Sequence, residues 1–163
     1  MDRAAEIGLI YAEAYRDPPY NEGEQETAAF LKHLPKQHEH PGFAFVVAEA
    51  PDGQLTGFAF GFTFEPGVWW KPATDEPDIL RGRPKFAVME LAVRHAWRGR
   101  GVARSLMTEL LSDRTEPYAT LSANPRAVAR AIYRSWGWRP AGTVNPPEVG
   151  PMDILIKTLN PPQ

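Results

Sequence analysis

The chain has 163 residues, 43% hydrophobic and 23% charged, with a formal net charge of −2. That length fits one folded domain able to bury a core without staples, the mild acidity disfavours nucleic acid as a partner, and the lack of cysteine removes disulfides, cysteine-ligated metals and any acyl-cysteine intermediate. No apolar run reaches the ~18 residues of a membrane span, and the start Met1-Asp2-Arg3-Ala4-Ala5-Glu6 does not read as a signal peptide, so a cytoplasmic protein with no membrane partner is expected.

Ile7, Ile10, Tyr11, Ala14 and Tyr15 recur at helical spacing and predict a helix over Glu6–Tyr15, with Asp2 as its cap. Asp17-Pro18-Pro19-Tyr20-Asn21 breaks it. Ala28, Phe30, Leu31 and Leu34 give a second amphipathic helix over Glu24–Leu34, which Pro35 is expected to end. Phe43–Ala50 reads as a strand, Asp52-Gly53 as a hairpin turn, and Gln54–Phe64 as the partner strand. Glu65–Pro84 is a long Pro/Gly-rich connection carrying Trp69-Trp70, and loops of that length in compact domains tend to be functional or disordered.

Lys85–Val93 is a mostly apolar strand of the kind found in the middle of a sheet. A polar loop, Arg94–Arg100, leads to a helix over Gly101–Ser112. Tyr118–Ala123 is a strand, and Arg126–Trp136 a helix with Val128, Ala131, Ile132 and Trp136 expected inward. Trp138–Thr143 and Met152–Leu159 are strands, and Asn160–Gln163 a tail. This order predicts an α/β chain of the α+β type, a mixed sheet with helices on both faces.

The most informative stretch runs from Met89 to Arg104, where a buried strand feeds a glycine-containing turn that opens a helix. The first amides of a helix lack internal partners, and the dipole adds roughly half a positive charge there. Gly99 and Gly101 admit close approach of a ligand to the backbone, and Arg98, Arg100 and Arg104 add positive potential. Physically this is an anion site suited to a diphosphate. No Lys-Ser or Lys-Thr follows a glycine as a P-loop requires. Arg104 stands where a dinucleotide fingerprint needs a small residue.

Arg98, Gly101 and Ala103 form R-x-x-G-x-A after Glu90-Leu91-Ala92-Val93 and before an amphipathic helix. This resembles the coenzyme A signature of the GNAT superfamily of N-acetyltransferases. A second block, Asn124, Ala131, Tyr133 and Gly137-Trp138, also resembles that family, with Asn124 and Tyr133 two residues further apart than usual and Trp138 in place of phenylalanine. With both blocks, the resemblance covers roughly Phe43 to Leu159. One departure is that members usually carry a strand before the first helix, and here that strand is short or absent.

The resemblance implies a central, mostly antiparallel sheet splayed between the fourth and fifth strands. It implies a single domain over 1–163, comprising a helical acceptor-side region at 1–41, a hairpin at 43–64, an acetyl-CoA-binding core at 85–139 and a C-terminal strand at 152–159. The donor would be acetyl-CoA, with no metal. Its pantetheine arm would pair with the backbone around Leu91, Ala92 and Val93, and its pyrophosphate would sit on Arg98, Gly99, Arg100, Gly101, Val102, Ala103 and Arg104. Glu90 would be the general base, directly or through water, for an amine whose pKa is about 10. Tyr133 would protonate the leaving thiolate, and Asn124 would hydrogen-bond the pantetheine or a water, or else cap a helix.

With no cysteine, direct attack in a ternary complex is the simpler route, and Ser122 or Ser135 has no visible partner to orient a base. Tyr11, Tyr15, Tyr20, Glu65, Trp69 and Trp70 are candidates for the acceptor wall, where aromatics suit a cation or a flat apolar group. The acceptor would be a small-molecule or peptide amine, and a homodimer follows from family habit alone. His33, His38 and His40 read as a solvated helix end rather than a metal site. The competing reading is a non-catalytic acyl-CoA-binding sensor of the same fold.

Overall fold

A computed structural model describes residues 3–73, 75–147 and 149–161. The Asp2 cap lies outside the described residues, and the tail is described as far as Pro161. In chain order the elements are α1 (Arg3–Arg16), α2 (Glu24–Gln37), β1 (Ala44–Glu49), β2 (Leu55–Phe64), β3 (Lys85–Val93), α3 (Val102–Leu111), β4 (Tyr118–Ala123), α4 (Val128–Ser135), β5 (Arg139–Val144) and β6 (Met152–Thr158). Short 3-10 turns cover Asp78–Leu80 and His95–Trp97. The strands form a six-stranded mixed sheet in the order β1-β2-β3-β4-β6-β5. The strands the resemblance counts as fourth and fifth are β3 and β4 here, because α1 is the first element described.

The parallel pairing of β3 with β4 covers Lys85–Ala87 against Tyr118–Thr120 and ends there. The remaining residues of β4, Leu121–Ala123, keep their antiparallel pairing with β6. The chain divides into two compact units, Met1–Phe62 with Met89–Ser112 and Thr63–Val88 with Asp113–Gln163.

In the first unit, β2 is apolar along nearly its whole length and buried on both faces. Phe58 and Phe60 point to one face, where they join Ile7, Ile10, Tyr11 and Ala14 of α1, with Phe30 and Leu34 of α2 packed alongside. Gly57 points the other way, toward Leu106 of α3. Alternation along one strand therefore puts α1 and α2 on one face and α3 on the other. A Cβ on Gly57 would stand 2.8 Å from the Ala92 carbonyl oxygen, so this close strand approach needs glycine. The β1–β2 hairpin turns at Gly53, whose φ of 88° an L side chain resists.

In the second unit Trp69, Leu80, Tyr118, Val144, Ile154 and Ile156 form the core. Lys85 is fully buried there, ion-paired to Glu76, with its ammonium 5.7 Å from the Trp69 ring centre. Pro140 sits in β5, the last strand of the sheet order, beside a register shift, as a residue without an amide proton requires.

Three expectations need correction. Pro35 does not end α2, which runs on to Gln37 with His38 N–H donating to Leu34 O at 3.1 Å. So near a helix end, proline removes its own bond without dislodging the last turn. Val128 and Ile132 do not face inward on α4, being 78% and 40% exposed. The buried side of α4 instead carries Arg130, which is ion-paired to Asp153 of β6. Ala131 is exposed too, and Trp136 lies just past the helix, partly buried. Asn124 does not cap α4, which begins at Val128; its Oδ1 accepts from Arg126 N–H at 2.9 Å in a local turn.

Candidate active site

The turn between β3 and α3 is built from its glycines. Gly99 and Gly101 have φ of 73° and 82°, and Gly101 is the N-cap of α3. A Cβ at either would meet nothing within 4 Å, so the backbone conformation demands glycine and the space above it is open. No side chain caps α3, leaving its first-turn amides facing outward with the helix dipole behind them. Arg98, Gly99, Arg100, Gly101 and Arg104 are exposed, while Val102 and Ala103 are partly buried. The Arg100 guanidinium lies 4.9 Å from the Trp97 ring centre.

A carboxylate from α1 buckles this turn in place. Glu13 Oε1 accepts from His95 N–H at 2.6 Å, and Oε2 from Arg94 Nε at 3.3 Å. Partial burial opposes ionisation of Glu13, but these two donors outweigh it and hold the carboxyl below the usual range. The imidazole Nε2 of His95 lies 3.3 Å from Asp17. Sequence reasoning missed Glu13; it sits 82 positions from His95, and no local pattern marks it.

Beside the turn, α1 and the loop after it bring three of the sequence-predicted residues around Glu90. The Tyr15 hydroxyl donates to Glu90 Oε2 at 2.5 Å. Tyr15 meets Tyr11 at 4.6 Å between ring centres and Tyr20 edge-on at 4.9 Å, and Tyr11 stacks on Phe30 at 4.2 Å. The Tyr11 hydroxyl donates to Glu22 Oε1 at 2.6 Å. Burial raises the Glu90 carboxyl to about 7, the bond from Tyr15 works against that, and the charge of Glu22 adds to it. Glu22 is itself pushed up, first by burial and then by Glu26, against the bond from Tyr11.

Burial and the Glu90 charge raise the Tyr20 phenol, while Arg98 pulls it down. Glu22 was also missed by sequence; Asn21, in a left-handed conformation at φ 50°, and the bond from Glu22 N–H to Tyr15 O at 2.8 Å turn it back onto α1.

The other predicted residues lie in the second unit. Trp69 is buried in its core, and Trp70 Nε1 donates to Thr120 Oγ1 at 3.0 Å. Glu65 is exposed. Tyr133 is partly buried and meets Trp136 edge-on at 5.9 Å and Trp138 at 6.4 Å. Asn124 is partly buried at the end of β4. In the first unit, His38 packs on Phe43 and His40 stacks on Phe62. Among the described residues no group of His, Cys, Asp or Glu could hold a metal ion, and no helix is long and apolar enough to cross a membrane.

Residues 41–140 match the family model described as "Acetyltransferase (GNAT) domain". The chain belongs to the GNAT acetyltransferase family. The matched segment of this GNAT chain contains β1 through α4, and with them the glycine turn and Glu90. No match was found among curated proteins.

Solved structures share the GNAT chain's fold at low identity. One is PH1933 from Pyrococcus horikoshii OT3, with TM-score 0.70 and 19% identity over 98% of this chain and 94% of that one. Another is an aminoglycoside 6'-N-acetyltransferase complexed with coenzyme A, with TM-score 0.67 and 16% identity over 100% and 97%. A third is the PaiA N-acetyltransferase of Thermoplasma acidophilum in complex with coenzyme A, with TM-score 0.65 and 11% identity over 96% and 92%.

Proposed function

We propose that this GNAT chain is an acetyl-CoA-dependent N-acetyltransferase that moves an acetyl group directly to a primary amine. The observation that carries the reading is the uncapped N-terminus of α3 behind Gly99 and Gly101, flanked by exposed Arg98, Arg100 and Arg104. Those amides and guanidinium groups fit a pyrophosphate. The backbone of Leu91, Ala92 and Val93 would take the amides of the pantetheine arm as a strand edge does. The two structural relatives complexed with coenzyme A support this choice of donor.

The donor supplies an activated acetyl thioester. Glu90 takes a proton from the bound amine, whose nitrogen forms the new bond to the acetyl carbon as the carbon–sulfur bond breaks. A carboxylate near pH 7 is matched to that task. Tyr133 gives a proton to the departing thiolate, and Asn124 holds the pantetheine or a water; both roles come from the family resemblance. Tyr11, Tyr15 and Tyr20 wall the acceptor side around Glu90, and their rings suit an ammonium before it loses its proton. Trp69 and Trp70 are held by the packing of the second unit, and that packing favours a supporting role for them.

The test is release of free thiol from acetyl-CoA across a panel of amines, run beside Tyr133→Phe and calorimetric titration with coenzyme A. Amine-dependent thiol release is expected. Tight coenzyme binding with no release for any amine would favour the sensor reading, and unchanged turnover in Tyr133→Phe would remove its acid role.

A further inference from the structure

We propose that Tyr15 is a positioning residue for Glu90: its phenol, donating to Oε2, fixes the carboxyl rotamer and leaves Oε1 as the oxygen that takes the proton from the acceptor amine. The inference rests on the acetyltransferase reading above and deepens it. Tyr15 reaches Glu90 at 2.5 Å from an element 75 positions away in the chain. Its ring is held between those of Tyr11 and Tyr20, so the hydroxyl has little freedom to leave. A neutral donor can orient a carboxylate without the strong stabilisation a guanidinium would give, and among the described residues no ion pair to Glu90 is found. Carboxyl orientation therefore falls to a phenol, and the base keeps its affinity for protons.

The groups that face Glu90 or its partners are Tyr11 and Tyr15 from α1, Tyr20 and Glu22 from the loop after it, Glu26 from the first turn of α2, and Arg98 from the turn before α3. Two of them act on Glu90 in opposite directions: the Tyr15 hydroxyl favours the ionised form and the Glu22 charge opposes it. Removing each therefore gives shifts of opposite sign, which loosened packing alone would not produce.

The experiment combines the pH profile of kcat/KM for thiol release with a 13C carboxyl titration of Glu90, in the full chain, for the unaltered protein, Tyr15→Phe, Glu22→Gln and Glu90→Gln. In Tyr15→Phe the acid limb and the Glu90 titration move together to higher pH by about one unit, a roughly tenfold loss of rate on that limb. Glu22→Gln moves both to lower pH. If Glu90 titrates at the same pH with and without the Tyr15 hydroxyl, in protein whose melting shows it folded, the proposal is overturned. Should Glu90→Gln turn over at the unaltered rate, the base assignment fails; the carboxyl titration still judges the bond from Tyr15 separately. Should Tyr15→Phe be too unstable to titrate, 3,5-difluorotyrosine at position 15 keeps the ring and makes the phenol a stronger donor: the Glu90 titration is then expected to move to lower pH, and an unmoved titration overturns the proposal.

Discussion

Glu90 and Glu116 are glutamates of one chain, each at least partly buried, and their surroundings move them in opposite directions. Glu116 lies in the second unit. Arg114 donates to it at 2.7 Å and Thr63 at 2.8 Å, and these donors overcome burial and hold its carboxyl low. Glu90 lies in the first unit with a phenol for a partner and a second glutamate nearby, and burial prevails, taking it to about 7. The second unit pairs its interior charges, Lys85 with Glu76 and Arg130 with Asp153. The first pairs Glu13 with Arg94 but sets Glu22 and Glu90 against the hydroxyls of Tyr11 and Tyr15. Paired charge fixes a structure, whereas carboxyls left to phenols and burial stay ready to exchange a proton.

The sharpest way to break this comparison is Glu90→Gln. It should lower kcat/KM by about 10²–10⁴-fold in the thiol-release assay, the usual worth of a general base. Stability should move the other way. Folded Glu90 holds its proton to about 7 against an ordinary 4.5, so its ionisation costs stability as pH rises through that window. The variant should therefore melt higher than the unaltered protein at pH 8, with the gap closing toward pH 4.5.

Glu76→Ala, in the second unit, leaves a fully buried ammonium uncompensated and should cost about 3–5 kcal/mol in urea unfolding. A loss below ~1 kcal/mol would mean that the Lys85 ammonium finds water or another partner. Glu116 and Glu13 carry the opposite sign from Glu90. Their lowered carboxyls contribute stability above the ordinary 4.5, and it is lost as pH falls through their folded values. Glu116→Gln should accordingly melt lower at pH 7 and lose that deficit in acid.

Gly101→Ala forces an L side chain to φ 82° and should cost about 1–2 kcal/mol while weakening coenzyme A binding in calorimetry. The smallest effect belongs to Val128→Ser, at a 78% exposed position, which should stay within ~0.5 kcal/mol in the same unfolding experiment.

Continuous apolar runs made much of the fold legible from the sequence. Lys85–Val93 and Tyr118–Ala123 are buried strands whose ends coincide with the loss of that pattern. The backbone of the glycine turn was equally legible, because its conformation is set by glycines within seven consecutive residues. What depends on distant partners was not. Nothing near Tyr15 announces Glu90, and nothing near Glu13 announces His95. The stripe of Val128 and Ile132 has helical spacing, yet it is exposed while Arg130 of the same helix pairs with Asp153, so periodicity told that a helix forms and not which face it buries. Pro35 misled because its usual effect was assigned without regard to its place in the final turn.

Helix α2 has no fully buried side chain, although Phe30 and Leu34 rest against the core. Little apolar surface opposes its release, so amide hydrogen exchange along Glu24–Gln37 should proceed through local opening, well ahead of the strands of β2 and β3. Each opening would unstack Phe30 from Tyr11 and carry Glu26 away from the tyrosines. The tyrosine cluster around Glu90 would thus breathe on its own clock while the glycine turn stayed folded.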